Sequence, residues 1–127
     1  MNILVDSSVW IDYFRSGIKS NSLDTLIDQN TICTNSLILA EILPSLKVRK
    51  QSRLINLLYQ IEKIELNINW GKIIDYQIIC LGKGINKIGI PDLIVIDNVI
   101  QNNFTLYSLD NHFKLMNNQI EFDLYDN

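Results

Sequence analysis

At 127 residues, 47% hydrophobic and 20% charged, the chain predicts one soluble domain with a sizeable core over 1–127 and leaves no room for a second. A net charge of −3, from 11 Lys and Arg against 14 Asp and Glu, excludes a protein that grips nucleic acid by bulk electrostatics alone. No apolar run approaches the ~18 residues of a membrane span, Asp6 interrupts the N-terminal run at once, and Cys33 and Cys80 offer neither a disulfide framework nor zinc spacing, so the expectation is cytoplasmic, with no membrane association.

In chain order, Asn2-Ile3-Leu4-Val5 predicts a strand near 2–5 that ends in Asp6, followed by a short helix from Ser8 to Phe14 and another from Ser22 to Asp28. A strand near 31–34 leads to a longer helix from Ser36 to about Leu46, with Asn35 or Ser36 as its cap and Pro44 expected to kink or end it. Leu54, Leu57, Leu58 and Ile61 recur at helical spacing, making 51–61 amphipathic, and a strand near 63–66 follows. Trp70, Ile73, Ile74, Gln77, Ile78 and Leu81 mark a helix over 69–81 that Gly82 and Gly84 stop. The segment 82–89 is a loop without phosphate-binding glycine spacing, and it feeds a helix opening near Pro91. Strands near 105–108 and 121–124 complete the chain. The alternation predicts an α/β fold, with helices covering both faces of a parallel sheet of about five strands.

Four acids stand out. Asp6 and Asp110 each follow an apolar run, and the carboxyl ends of parallel strands border the crevice where α/β sheets bind ligands. Glu41 sits inside Leu37-Ile38-Leu39-Ala40-Glu41-Ile42-Leu43, where burial without a partner costs several kcal/mol. Asp92 opens the helix Pro91-Asp92-Leu93-Ile94-Val95-Ile96. Each also has a structural explanation: Asp6 and Asp110 as helix caps, Asp92 as a first-turn acid opposing the helix dipole for roughly 0.3–1 kcal/mol, Glu41 on an exposed stripe. Together they predict a hard-cation site, and an oxygen-only donor set favours Mg²⁺ or Mn²⁺ over zinc. One or two such ions suit hydrolysis of a phosphodiester.

At these residues a resemblance becomes visible. Leu4-Val5-Asp6-Ser7-Ser8-Val9-Trp10-Ile11-Asp12-Tyr13-Phe14 resembles the opening of PIN-domain nucleases, especially the VapC-type toxins of prokaryotic toxin–antitoxin pairs. Leu39-Ala40-Glu41-Ile42-Leu43, Gly89-Ile90-Pro91-Asp92-Leu93-Ile94-Val95-Ile96 and Leu106-Tyr107-Ser108-Leu109-Asp110-Asn111-His112-Phe113 resemble the family's later blocks, in the family's order. The resemblance implies a three-layer α/β/α sandwich, Mg²⁺- or Mn²⁺-dependent endoribonuclease activity on RNA, an antitoxin partner and a homodimer. Carried over, it places Asp6, Glu41, Asp92 and Asp110 at the metal, with Ser8 and Ser108 orienting carboxylates or water beside them. Val95, Ile96 and Asp97 depart from the family, which more often has small residues and Thr there.

Other residues are weighed in the same way. Asp97 lies five residues beyond Asp92, about 140° away around a helix, and is not expected to reach the site. His112 reads first as an exposed turn residue and only second as a proton carrier; Asp12 reads as a local helix hydrogen bond. Lys47, Arg49, Lys50 and Arg53, with Lys83 and Lys87, are equally readable as solvated helix ends or as an RNA phosphate track. Trp10, Tyr13, Phe14, Leu54, Leu57 and Leu58 predict an apolar surface for a protein partner. A catalytically silent RNA- or protein-binding module is the main rival, and a phosphoacceptor receiver domain a weaker one: Asp6 is followed by Ser7-Ser8 rather than a second acid. DNA cleavage stays open, because acids and metal do not sense a 2′-hydroxyl.

Overall fold

The computed structural model describes residues 2–126. Its elements run β1 (Ile3–Val5), α1 (Ser7–Arg15), α2 (Leu23–Asp28), β2 (Ile32–Thr34), α3 (Ser36–Val48), α4 (Ser52–Gln60), β3 (Glu62–Lys63), α5 (Trp70–Gly82), α6 (Ile90–Asn102), β4 (Thr105–Tyr107), α7 (Asn111–Asn117) and β5 (Asp123–Leu124). All strand pairs are parallel, in the order β3-β2-β1-β4-β5.

That order locates the site. The chain steps outward from β1 to β2 and β3, then returns across the sheet to β4 on the other side of β1. Right-handed crossovers therefore put α1 to α4 on one face and α5 to α7 on the other, giving the three-layer α/β/α sandwich. The direction of winding reverses between β1 and β4, and a crevice opens at their carboxyl ends. The core consists of the wholly buried β1, with Trp10, Ile38, Leu58, Leu93, Ile96, Leu106 and Phe113 packed from the helices and β4.

Several boundaries differ from expectation. Pro44 neither ends nor stops α3, which continues to Val48. Proline in a helix interior costs about 3 kcal/mol, but Leu46 beyond it is buried, and that burial, roughly 1.5–3 kcal/mol for a large apolar side chain, offsets most of the cost. β3 starts earlier than predicted, at Glu62, because the ladder to β2 pairs Cys33 with Glu62; Ile64 N–H adds one more bond to the Thr34 carbonyl at 2.8 Å. α7 was absent from the sequence reading, since seven residues show too little periodicity. Cys33 and Cys80 are free and buried, as expected, and burial pushes the Cys33 thiol up to about 12, with Glu62 adding to it. Among the described residues no helix is long and apolar enough to cross a membrane.

A buried amide chain joins the two helical layers. Asn35 caps α3 by accepting from Ile38 N–H at 2.9 Å, and its Nδ2 donates to Asn98 Oδ1 of α6 at 2.9 Å. Asn98 Nδ2 in turn donates to the Glu65 carbonyl at 3.0 Å. Asn98→Ala strands the Asn35 amide and the Glu65 carbonyl; urea unfolding is expected to show a loss of about 2–4 kcal/mol, against a few tenths for an exposed helix position such as Asn56→Ala.

Candidate active site

Asp6 lies immediately past β1 with 6% of its surface exposed. Its amide donates to the Tyr107 carbonyl of β4 at 2.9 Å, which fixes the residue across the switch point. Its Oδ2 accepts from Ser8 Oγ at 2.8 Å and Ser108 Oγ at 3.0 Å, and from Ser8 N–H, more loosely, at 3.4 Å. The two hydroxyls lie 3.2 Å apart; Ser8 Oγ accepts from Leu109 N–H and Ser108 Oγ from Asp110 N–H, each at 3.0 Å. Ser8 and Ser108 thus hold one carboxylate oxygen, and Oδ1 takes part in none of these bonds.

Asp110 caps α7, its Oδ1 accepting from His112 N–H at 2.9 Å. His112 Nδ1 lies 3.4 Å from the same oxygen. Asp92 enters from the first turn of α6, after the Gly89 cap and Pro91. One donor atom each of Asp92, Asp110 and His112 falls within 4.8 Å of the others. Burial, then Asp110 and Asp6, raise the Asp92 carboxyl pKa; His112 and a backbone hydrogen bond from Gly89 pull it back only partly.

Glu41 differs from expectation. It is exposed rather than buried, because α3 turns Ile38, Leu39, Ile42 and Leu46 to the core and leaves Glu41 at the rim. Its carboxyl nonetheless feels the cleft: burial, then Asp6 and Asp92, raise its pKa against a hydrogen bond from Ser7.

The remaining candidates separate cleanly. Asp97 is buried away from the acids, accepting from Gln101 Nε2 at 2.7 Å and Tyr76 OH at 3.4 Å, as its helical phase predicts. His112 is not an exposed turn residue; it is half-buried in α7 and stands among the acids, because a helix begins at Asn111. Asp12 does more than a local helix bond: its Oδ2 accepts from Lys19 N–H at 3.1 Å, Ser20 N–H at 2.9 Å and Ser20 Oγ at 2.7 Å. Trp10 and Leu58 are fully buried core, and Tyr13, Phe14, Leu54 and Leu57 are partly buried against it, so the apolar surface is much smaller than predicted. Lys47, Arg49, Lys50 and Arg53 are exposed where α3 gives way to α4, Lys47 with its ammonium 5.6 Å from the Tyr59 ring, and Lys83 and Lys87 are exposed in the loop before α6. A groove between α1 and α3 is lined by Ile11, Phe14, Arg15, Glu41, Leu46 and Arg49. No local signal marks Arg15 for this groove, since only the packing of α1 on α3 brings it to the lining that it shares with Arg49.

Oxygen donors of like charge, with Asp6 oriented by two hydroxyls and Glu41 and Asp92 raised in pKa by burial and by their acidic neighbours, fit a divalent cation, which would relieve that repulsion. Fold and site define a class of α/β/α domains with an acidic cleft at the switch point of a parallel sheet. The PIN domain family model matches residues 3–118, and the chain belongs to that family. Its structure is similar to that of a chain in the VapBC2 complex of Rickettsia felis bound to a DNA fragment from its promoter (TM-score 0.75, 25% identity, 99% of this chain and 100% of that one). It is similar also to chains of DNA-bound VapBC from Salmonella typhimurium (TM-score 0.78, 10% identity, 99% and 98%) and of VapBC-1 from nontypeable Haemophilus influenzae (0.74, 15%, 99% and 98%). Among curated proteins, none matches the sequence.

The raised carboxyls have a consequence for stability. In the metal-free protein Glu41 and Asp92 keep their protons to higher pH folded than unfolded, so their unfavourable contribution grows as pH rises through their folded pKa values. Asp92→Asn, although it gives up a favourable helix-dipole charge, is therefore expected to raise the metal-free Tm at pH 7 by a few degrees. The gain should shrink as pH falls and the wild-type carboxyls take up protons. A lower Tm for the variant at pH 7 in calorimetry would contradict the repulsion.

Proposed function

We propose that the protein is a metal-dependent endoribonuclease that hydrolyses RNA phosphodiesters, one cytoplasmic domain over residues 1–127, and the toxin of a type II toxin–antitoxin pair. The observation that carries the reading is the gathering of Asp6, Glu41, Asp92 and Asp110 within electrostatic reach at the switch point of a PIN fold. The likeness to chains of VapBC complexes supports the antitoxin partner.

In this reading Asp6, Asp92 and Asp110 hold Mg²⁺ or Mn²⁺, with Glu41 completing the set from the rim. The ion supplies Lewis acidity, lowering the pKa of a water and offsetting charge that builds on the phosphate. Ser8 and Ser108 keep Asp6 in one rotamer, so its free oxygen is preorganised. Glu41, bonded by Ser7, orients the attacking water, and His112 beside Asp110 is placed to give a proton to the leaving oxygen. The groove containing Arg15 and Arg49 receives a segment of the antitoxin, and the exposed stripe Trp70, Ile74, Ile78 and Leu81 on α5 supports a homodimer.

Asp6→Asn and Asp92→Asn each remove a ligand charge at little cost in volume. RNA cleavage by either is expected to fall at least ~10²-fold with circular dichroism unchanged. Activity lost to EDTA should return with Mg²⁺ or Mn²⁺ and poorly with Ca²⁺, whose looser coordination acidifies water less. Full activity in either folded variant, or equal rates with Ca²⁺, would sink the assignment. A protein that binds RNA and metal but cleaves neither RNA nor DNA would instead be the silent module.

A further inference from the structure

The end of α3 and the start of α4 carry Lys47, Arg49, Lys50 and Arg53, all exposed, and no Asp or Glu occurs between Glu41 and Glu62. Among the described residues none of Arg49, Lys50 and Arg53 enters an ion pair, and Lys47 lies over the exposed ring of Tyr59. Helix chemistry explains only part of this cluster. A cation at the end of a helix opposes its dipole, which suits Lys47 and Arg49 at the end of α3. Arg53 stands in the first turn of α4, at the wrong end of that helix for a cation. Lys50 is the left-handed residue, with φ 57°, of the turn that closes α3, where the Gln51 amide donates to the Leu46 carbonyl at 2.9 Å; glycine fills such a position with less strain. Helix stability alone would therefore put neither Arg53 nor Lys50 where it stands.

α3 ties this corner to the acids. Glu41, Ser45 and Arg49 line one groove, and eight residues of helix put Arg49 about 12 Å beyond Glu41. A cleft of carboxylates repels a polyanion, and cations flanking it offset that repulsion. We propose that the α3–α4 corner receives the sugar–phosphate backbone of single-stranded RNA, with Arg49, Lys50 and Arg53 on phosphates a few nucleotides from the scissile bond. The inference rests on the nuclease reading and extends it: the strand leaves the acids past Glu41 and follows the groove along α3. An antitoxin segment seated in that groove covers Arg49 and displaces the strand. Contacts of this kind read charge and not sequence.

The test is equilibrium binding of a fluorescein-labelled oligouridylate to the Asp92→Asn protein in Mg²⁺, by anisotropy over a range of KCl concentrations. Adding Arg49→Ala and Arg53→Ala should weaken binding roughly three- to tenfold at low salt and reduce the magnitude of the slope of log K against log salt by about 0.7 per cation. Lys72→Ala, on α5 at the other face of the sheet, should change neither value. Lys50→Gly separates binding from folding: it should melt no lower than its parent, because glycine relieves the left-handed turn, and yet bind RNA more weakly. An unchanged slope in the double variant, full RNA affinity in Lys50→Gly, or no RNA binding at low salt by the Asp92→Asn parent overturns the proposal. So does an oligoglutamate peptide that binds with the same arginine dependence while RNA does not, which assigns the corner to an acidic protein segment. Failure of the nuclease reading is seen separately, as wild-type protein that cleaves no RNA while the arginine and lysine effects on binding persist.

Discussion

Like charges that cannot leave one another are the constraint on which this molecule is organised. Asp6 is pinned by its amide to β4 and by two serine hydroxyls to both strand ends, while Asp92 and Asp110 are fixed in the first turn and at the cap of their helices. Glu41 faces them from a helix on the other side of the sheet. The 2.9 Å contact of Asn35 with Asn98 ties the start of α3, the helix of Glu41, to α6, the helix of Asp92, from opposite faces of the sheet. The rigidity of the scaffold keeps the repulsion from relaxing, and a bound hard cation would offset it.

Capping and ligation prove compatible in this geometry. A carboxylate has two oxygens, and a helix cap uses one. Asp6 gives Oδ2 to Ser8, and Asp110 gives Oδ1 to the His112 amide. The same turn that starts a helix after a parallel strand therefore presents a preoriented acid at the crevice.

Most of the fold was legible because its signals are local and strong: the strand ending in Asp6, the Gly89-Ile90-Pro91 entry to α6, the period of α5. The acids were legible as strand-end and first-turn positions. What the sequence hid depends on distance or on competition. Pro44 argued for a break that the burial of Leu46 overrides, Glu41 looked buried because its neighbours are apolar, and His112 looked loose because α7 is too short to announce itself. Asn35 reads in the sequence only as a cap, because its partner Asn98 lies 63 residues away.

Calorimetric titration with Mn²⁺ in two buffers of different ionisation enthalpy addresses the central claim most directly, since it counts the protons a cation displaces. Burial and like charge raise the Glu41 and Asp92 carboxyls, so cation binding in mildly acid solution should release protons and should tighten as pH rises and those protons leave of themselves. In Asp92→Asn, affinity should drop about 10- to 100-fold, with less proton release. Mn²⁺ binding without proton release in mildly acid solution, or with equal affinity in the variant, would contradict a site built on these mutually repelling carboxylates.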